Sequence, residues 1–355
     1  MGGMRAVLVT LVLLATLTAD VRLGMTPDAA VEVPGRWALR YAAPYKEQTW
    51  HLVSTSGGEM TLATPRKILR WDGVTWHPVP HPWRGAHLVG AASAGDTIWV
   101  AATRFADGEI TATRLLTWSG GKWTVKHSTP SLVIDLAAGP RGEAWIATLP
   151  DNEGGRGDVL HWNGRRWRSF GSEAVHYLNG IAVANRDDLW AVTQSAGRAL
   201  THWNGTAWAE VPHPCTPAPS ACRGLSGIGV PRLAAQPDGR AWLAAPIFAD
   251  AASPKIFHWD RTRWKEVGIS ATWTGLRALA TDPVGGVWIA ANSWRRGPSL
   301  LNLRDGVWRR IAVPVRERAE QVQGVTPVPG TTRVWVHTGF AKTARVYELQ
   351  AGSTG

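Results

Sequence analysis

The sequence has little cysteine, a deficit of acidic side chains and only one long apolar run. That run, AVLVTLVLLATL at 6–17, follows a single arginine and precedes small residues. It is shorter than an ordinary membrane-spanning helix and is typical of a secretory signal peptide. We therefore expect residues 1–19 to be a signal peptide and residues 20–28 a short linker. We expect no transmembrane span after signal removal and a secreted, extracellular or cell-wall-associated bacterial protein.

The only two cysteines, Cys215 and Cys222, lie in one loop, PHPCTPAPSACRG. In an exported protein, two nearby cysteines with prolines around them predict a local disulfide that closes the loop. The chain also lacks a phosphate-binding loop, a Ser-His-Asp order and a metal-ligand spacing. We therefore predict no catalytic residue, no cofactor and no metal.

Tryptophan is abundant, with 22 residues against five phenylalanines and four tyrosines. Most of these rings must be buried or stacked, because so many exposed indoles would make the protein insoluble. Seven of them recur at gaps of 49, 46, 45, 52, 46 and 47 residues. Such a period indicates a repeat array, and its length suggests a propeller blade. The predicted tryptophan strands are DTIWVAAT (96–103), GEAWIATL (142–149), DDLWAVTQ (187–194), GRAWLAAP (239–246), GGVWIAAN (285–292), TRVWVHTG (332–339) and the looser QTWHLVST (48–55).

A second signature is a hairpin with an apolar strand, a turn and a strand that starts with tryptophan. Asp72–Gly73, Asn163–Gly164 and Asn204–Gly205 are typical turn pairs, because they tolerate the positive φ angles of tight hairpins. The six copies are ILRWDGVTWHPV, LLTWSGGKWTVK, VLHWNGRRWRSF, LTHWNGTAWAEV, IFHWDRTRWKEV and LLNLRDGVWRRI.

An apolar stretch before each tryptophan strand completes a unit of four short strands. The last unit ends one strand short, so we predict that an N-terminal strand closes the ring in the last blade. We assign residues 29–34 to this strand and expect 38–43 to start blade one. The predicted fold is all-β, a single seven-bladed β-propeller of four-stranded antiparallel blades over 29–350, with a tail at 351–355.

These units resemble the repeats of exported bacterial seven-bladed β-propeller proteins built from "HWDG–W–VP" and "DVWAVG" motifs, and more distantly the WD repeats. The resemblance covers about 29–350. It implies the fold and carries no activity with it.

Candidate ligand-binding residues lie outside the repeated positions, and we select Trp83, Trp273, Trp294, Arg295 and Arg296. His161, His202 and His258 precede a hairpin tryptophan in three successive blades, and we expect them to make structural hydrogen bonds rather than to bind metal. The chain carries 38 Lys and Arg against 27 Asp and Glu, an excess of 11. Clustered basic residues predict a basic rim over blades three, five and six, formed by Arg165, Arg166, Arg168, Arg261, Arg263, Lys265, Arg309 and Arg310.

The basic rim either blocks edge-to-edge association or docks on anionic envelope polymers. Binding on a rigid scaffold usually lies in its loops. We therefore expect the contact surface at the longer loops, 54–66, 103–113, 148–158, 212–229, 245–255 and 292–299.

We predict a monomeric, non-catalytic binding or scaffold propeller at the bacterial cell surface. Its partner is an anionic polymer, a glycan or another surface protein, and not nucleic acid. One alternative is a lectin that stacks sugars on exposed tryptophans. A second is a polysaccharide-active enzyme with a site at the central channel. It needs two facing carboxylates, for which the candidates are Asp135, Glu153, Asp158 and Asp282.

Overall fold

The computed structural model describes residues 30–44, 50–83, 85–139, 142–149, 157–171, 175, 178–193, 200–212, 232–245, 255–268, 273, 275–282, 285–293 and 295–350. Within these ranges the chain forms seven antiparallel blades of four strands each, and one blade carries a fifth strand. The predicted seven-bladed β-propeller is confirmed. The predicted signal peptide, Glu153, Trp294 and the Cys215–Cys222 disulfide lie outside the described residues. Among those described, no helix is long and apolar enough to cross a membrane.

In blades one to six, the four strands follow one another along the chain from the channel outward. Blade seven takes its outermost strand from the N-terminal segment. The innermost strands are β3 (His51–Ser54), β7 (His87–Ala94), β11 (Leu132–Ala138), β15 (Leu178–Asn185), β19 (Arg232–Ala235), β23 (Gly275–Thr281) and β27 (Gln321–Pro327). The second strands are β4 (Met60–Ala63), β8 (Thr97–Ala106), β12 (Ala144–Leu149), β16 (Asp188–Thr193), β20 (Ala241–Ala245), β24 (Val287–Asn292) and β28 (Val334–Gly339). The third strands are β5 (Ile68–Trp71), β9 (Glu109–Ser119), β13 (Asp158–Trp162), β17 (Leu200–Trp203), β21 (Lys255–Trp259), β25 (Ser299–Arg304) and β29 (Thr343–Leu349). The outermost strands are β6 (Trp76–Val79), β10 (Lys122–Thr129), β14 (Trp167–Ser169), β18 (Trp208–Val211), β22 (Trp264–Val267), β26 (Val307–Ala312) and, in blade seven, β2 (Trp37–Pro44).

Ring closure by an N-terminal strand is confirmed, but the assigned segments are wrong. The strand that completes blade seven is β2, which pairs antiparallel with β29, so 38–43 does not start blade one. The segment assigned to blade seven, 29–34, instead contains β1 (Val31–Glu32), which pairs parallel with β26 of blade six. Pro34 lacks a backbone donor and thereby helps to end β1, and the chain then crosses to the next blade. The N-terminal segment therefore ties two blades together.

Tryptophans of the second strands form the core between blades. Trp145, Trp190 and Trp335 have no measurable exposure, and Trp99 and Trp288 are 1% exposed. Three of them meet aromatic rings of the following blade: the ring centroids are 6.4 Å apart for Trp99 and Trp162, 5.2 Å for Trp190 and Trp259, and 5.8 Å for Trp335 and Trp71. The prediction that the repeated tryptophans pack between blades is confirmed for these strands.

Blade one departs from the pattern. Trp50 was assigned to a tryptophan strand at 48–55, but it directly precedes the innermost strand, β3. The second strand of this blade is β4, where Thr61 pairs with Arg70 at the position that tryptophan holds in the other six blades. The loops expected at 54–66 and 103–113 are also corrected. The first range contains strand β4. The second consists of the end of β8, the start of β9 and the two-residue turn between them.

In five blades the tryptophan of the outermost strand donates a hydrogen bond to a backbone carbonyl of the blade before it. The indole Nε1 of Trp123 donates to the Pro80 carbonyl at 2.8 Å, and that of Trp167 donates to the Lys126 carbonyl at 3.0 Å. Trp37 makes the same contact from blade seven, donating to the Ala312 carbonyl at 2.9 Å. This bond explains why the closing strand begins at Trp37.

Candidate functional site

The channel through the ring widens into two cavities. The upper cavity, at the face where the innermost strands begin, has a volume of about 530 Å³. The lower cavity, at the face where these strands end, has a volume of about 850 Å³. Small residues predominate in the lower cavity. The upper cavity concentrates the polar chemistry, with His51, Asp135, Asn179, Arg232, Arg277, Gln323 and His337 in its wall.

A β-bulge near the start of the innermost strand presents polar side chains to the upper cavity. The register shifts at the same place in five blades, between Leu88/Gly90, Val133/Asp135, Leu178/Gly180, Leu276/Ala278 and Val322/Gly324. A bulge inserts an extra residue and re-aims side chains. The extra residue is Asn179, Arg277 or Gln323 in three of these blades, and all three line the upper cavity. Sequence reasoning missed this set, although the glycine that follows the bulge in YLNGIAV and QVQGVTP was a usable signal.

Asp135 lies in the wall of the upper cavity and is held by backbone donors. Its Oδ1 accepts from the Leu136 backbone N–H at 2.9 Å, and its Oδ2 accepts from Ile181 of the next blade at 2.8 Å. Burial raises the pKa of this carboxyl, and the two backbone hydrogen bonds and the charge of Arg232 oppose that rise. Asp135 therefore links blades three and four.

Two arginines supply the positive charge of the upper cavity. Arg277 donates from its guanidinium to Gln321 Oε1 at 2.9 Å, and its Nε is buried without a partner among the described residues. Burial lowers the pKa of Arg277, and the charge of Arg232 lowers it further. Two guanidinium groups that disfavour each other create a place where an anion relieves the repulsion.

Two histidines line the same cavity in neutral form. Burial lowers the pKa of His51 to about 4, and a hydrogen bond with the Val89 backbone opposes this effect. The pKa of His337 is also lowered to about 4, by burial and by the charge of His51. At neutral pH both histidines are uncharged, so the two guanidinium groups of the upper cavity are accompanied by at most one negative charge, that of Asp135. This balance favours an anionic ligand.

Exposed phenylalanines flank the upper face. Phe340 is 50% exposed at the turn after β28, and the Arg277 guanidinium lies 5.3 Å from its ring centroid. Phe105 is 45% exposed at the tip of the β8–β9 hairpin. Rings that project beside a basic cavity suit a ligand that is both anionic and apolar.

The acidic side chains of the two cavities are already engaged. Asp135 is the only carboxylate among the described residues that line the upper cavity. In the lower cavity, Asp282 accepts from Arg304 at 2.6 Å and Asp238 accepts from Arg240 Nε at 2.7 Å. A glycosidase needs one carboxylic acid and one free carboxylate that face each other across the substrate. These pairings therefore give no support to the enzyme alternative.

The selected ligand tryptophans are buried where they are described. Trp83 is 3% exposed and lies between the guanidinium groups of Arg104 and Arg114, which are 4.9 and 4.6 Å from the ring centroid. Trp273 is also 3% exposed, beneath Arg310 at 5.9 Å. Stacking on a sugar would require these arginines to move. Arg295 and Arg296 are exposed at the neighbouring turn, and ligand binding by all of these residues stays a prediction.

Six of the eight residues of the predicted basic rim are exposed, whereas Arg309 and Arg310 are not. Arg310 is 9% exposed, and its Nη1 donates to both oxygens of Glu32, each at 2.8 Å. Lys265 lies 2.9 Å from Asp260. The remaining exposed members are Arg165, Arg166, Arg168, Arg261 and Arg263, whereas Arg309 is half-buried.

The three hairpin histidines stack on the second-strand tryptophan of their own blade. Ring centroids are 3.8 Å apart for His161 and Trp145, 4.4 Å for His202 and Trp190, and 4.3 Å for His258 and Trp242. The described residues contain no group of three His, Cys, Asp or Glu side chains that could hold a metal. The expected structural hydrogen bond is present at His202, whose Nε2 lies 2.8 Å from Asp188 Oδ1 of the same blade. It is missing at Nε2 of His161 and His258, which are buried without a partner among the described residues, so the expectation is wrong for these two atoms.

Comparison with known proteins finds no matching family model and no matching curated protein. Several solved structures share the fold. YCF48 bound to a D1 peptide is 16% identical, with a TM-score of 0.59 over 91% of this chain and 100% of that one. YCF48 from Cyanidioschyzon merolae is 14% identical, with a TM-score of 0.55 over 88% and 98%. The β-propeller domain of Cps50 (Swd1) from Myceliophteria thermophila is 10% identical, with a TM-score of 0.60 over 89% and 100%. At these identities the likeness shows the fold alone, a β-propeller.

Proposed function

We propose that the chain is a non-catalytic binding propeller that holds an acidic segment of a partner protein at its upper cavity. The observation that supports this most directly is the pair of arginines, Arg232 and Arg277, with one carboxylate beside them. An acidic side chain or a terminal carboxylate would offset their repulsion and satisfy the buried Nε of Arg277. The exposed Phe340 would contact apolar neighbours of that group.

The comparison supports a polypeptide ligand over a sugar. One propeller of this fold is described as bound to a peptide. The lectin alternative requires exposed tryptophan faces, whereas the two selected tryptophans that are described are 3% exposed. A peptide also suits a rimmed channel mouth, because a chain end or loop enters a channel more readily than a branched polymer does.

The experiment measures the fluorescence anisotropy of a labelled (Glu-Phe)₃ peptide and its (Lys-Phe)₃ counterpart. We expect the acidic peptide to bind and the basic one not to bind. Arg232→Gln and Arg277→Gln should each weaken binding about tenfold, the size of one charge-assisted hydrogen bond. Arg263→Gln, at an exposed arginine of the β21–β22 turn that lines neither cavity, is the matched control and should change the affinity less than twofold. Equal binding of both peptides, or equal loss in the control, would refute the assignment.

We propose further that the protein acts outside a bacterial cell, on the basis of the apolar run at 6–17 and the arginine before it. Expression with the native N-terminus, followed by mass spectrometry of the exported fraction, tests this. The expected mature chain begins at Asp20. An uncleaved chain confined to the cytoplasm would contradict the proposal and would leave the assignment of the upper cavity untouched.

A further inference from the structure

A cleft between blades three and four, away from the channel, combines charge with an unpaired buried polar atom. Its volume is about 150 Å³, and it is lined by His161, Asn163, Arg168 and Phe170 of blade three and by Arg186, Asp187, Trp203 and Gly205 of blade four. At about 30 Å³ per water molecule, this is room for roughly five waters. A phosphate or sulfate group is therefore small enough to fit.

His161 is the buried polar group of the cleft. Its side chain stacks on Trp145, the residue is 3% exposed, and Nε2 has no hydrogen-bond partner among the described residues. Buried polar atoms in native proteins are usually satisfied, so an unsatisfied one at a cavity wall points to a missing ligand or water. Nitrogen Nε2 is able to donate when it carries the ring proton of the neutral imidazole.

Two arginines make the cleft attractive to an anion. Arg168, from β14, and Arg186, from the turn between β15 and β16, are exposed and form no ion pair with a described residue. Asp187 is the one carboxylate in the wall, and the Asn163 Oδ1 is occupied by the backbone N–H groups of Arg165 and Arg166. Two positive charges and one negative charge leave a net attraction for an anion.

Blade four shows what this histidine position looks like when it is satisfied. His202 stacks on Trp190 as His161 stacks on Trp145, but its Nε2 lies 2.8 Å from Asp188 Oδ1. Blade three has Glu143 at the position of Asp188, and His161 Nε2 stays without a hydrogen bond. His161 Nε2 therefore has no carboxylate partner from its own blade, unlike His202 Nε2.

We propose that this cleft binds a tetrahedral oxyanion, a phosphate or sulfate group, through the guanidinium groups of Arg168 and Arg186 and the Nε2–H of His161. Asp187 limits the net charge of the site. Because Arg168 and Arg186 are exposed, the oxyanion can belong to a free ion or to a larger anionic molecule. The proposal does not depend on peptide binding at the upper cavity.

Sodium sulfate is the first probe, followed by calorimetry at constant ionic strength and by the ring ¹⁵N shift of His161. We expect one sulfate per chain and a shift at His161 Nε2. Arg168→Gln, Arg186→Gln and His161→Phe should each weaken binding about tenfold, since each removes one hydrogen bond to a charged group. The phenylalanine keeps the stacking on Trp145, so the fold is preserved.

Arg165→Gln is the matched control, because Arg165 lies in the same hairpin but does not line the cleft. It should change the affinity less than twofold. An equal loss in this control would mean diffuse attraction by the basic rim, and no loss in the three variants would mean an adventitious ion only. Either result overturns the proposal.

Two further probes distinguish the sources of the oxyanion. Glycerol 3-phosphate presents a terminal monoester, and glycerophosphoglycerol presents a diester of the kind found within a polymer. Binding of the diester within about fivefold of sulfate would support polymer-borne phosphate, and binding of sulfate and the monoester alone would support a terminal group. Failure of all three ligands would refute the site.

Discussion

Blades three and four use the same sequence unit, HWNG, and differ in what surrounds its histidine. Both histidines stack on the tryptophan of the second strand, and both hairpins turn at an Asn-Gly pair. In blade four Asp188 binds His202, whereas in blade three His161 faces a cleft with no partner. The repeat therefore determines how the blades pack. Single residue differences around it determine which buried polar atoms are left without a hydrogen-bond partner.

The largest expected effect is shared by the two blades. Trp145→Ala and Trp190→Ala each empty a fully buried indole site, since both residues have no measurable exposure. We expect each to lower the free energy of unfolding by about 3–5 kcal/mol in urea titration. If the free energies of unfolding lost by the two variants differ by more than about 2 kcal/mol, the width of this range, the two blades are packed unequally.

We expect His161 of blade three to make the free energy of unfolding depend on pH. Burial first, and the charges of Arg186 and Arg168 next, lower the pKa of His161 to about 4 in the folded protein. The unfolded histidine, at about 6.5, binds a proton between these values, so stability falls as the pH drops from about 6.5 to 4.

For His161 alone this loss amounts to about 2–3 kcal/mol at pH 4. The comparison is wild type against His161→Phe in denaturant titrations at pH 7 and pH 4, and the variant should lose less stability on acidification. His51 and His337, whose pKa values are also lowered to about 4, add to the acid sensitivity of both proteins. Equal acid sensitivity of the two proteins would contradict the assignment to His161.

Replacing the turn glycine of each hairpin should destabilise the protein to a different extent in blade three and in blade four. Gly164 and Gly205 have φ angles of +93° and +92°, where a side chain is strained. A Cβ at Gly164 meets nothing within 4 Å, whereas one at Gly205 would lie 2.9 Å from the Cβ of Asp187. Gly164→Ala should cost about 1 kcal/mol and Gly205→Ala about 2 kcal/mol or more in thermal unfolding. Equal losses of stability in the two variants would mean that the turn containing Asp187 moves to make room for the added Cβ atom.

Replacing the histidines tests the satisfied and unsatisfied polar atoms directly. His202→Phe removes the partner of Asp188 and should cost about 1–2 kcal/mol. His161→Phe at pH 7 removes an unpaired buried nitrogen, so the change should be within about 0.5 kcal/mol of zero or stabilising. A loss in His161→Phe as large as that in His202→Phe would show that Nε2 already has a partner.

Much of the fold could be predicted because its signals are local. The hairpin turns were identifiable from Asp-Gly and Asn-Gly, and Gly73, Gly164 and Gly205 all have positive φ. Arg261 replaces glycine in blade five and adopts the same left-handed conformation at a φ of +80°. The predictions were wrong where the repeat is least regular. Trp50 has the spacing of a second-strand tryptophan but precedes an innermost strand, and the segment 29–34 was assigned to the outermost strand of blade seven but pairs with blade six.

The candidate sites were harder to predict, because their residues come from different blades. The sequence marks Asp135 only as a candidate carboxylate of the enzyme alternative, and Arg232, Arg277 and His51 share no motif. They meet in the upper cavity because equivalent strand starts converge on the channel. Trp83, selected for lying outside the repeat, is instead covered by Arg104 and Arg114.

The sequence by itself determined the repeat, the number of blades, the order of strands in blades two to six and the positions of the hairpin turns. These features depend on periodic tryptophans and glycines whose effects extend over a few residues. Only the tertiary structure decided that Trp37–Pro44 closes the ring, that two arginines share the upper cavity, and that His161 lacks the partner His202 has. Those outcomes depend on contacts between residues far apart in the chain, which a local pattern does not encode.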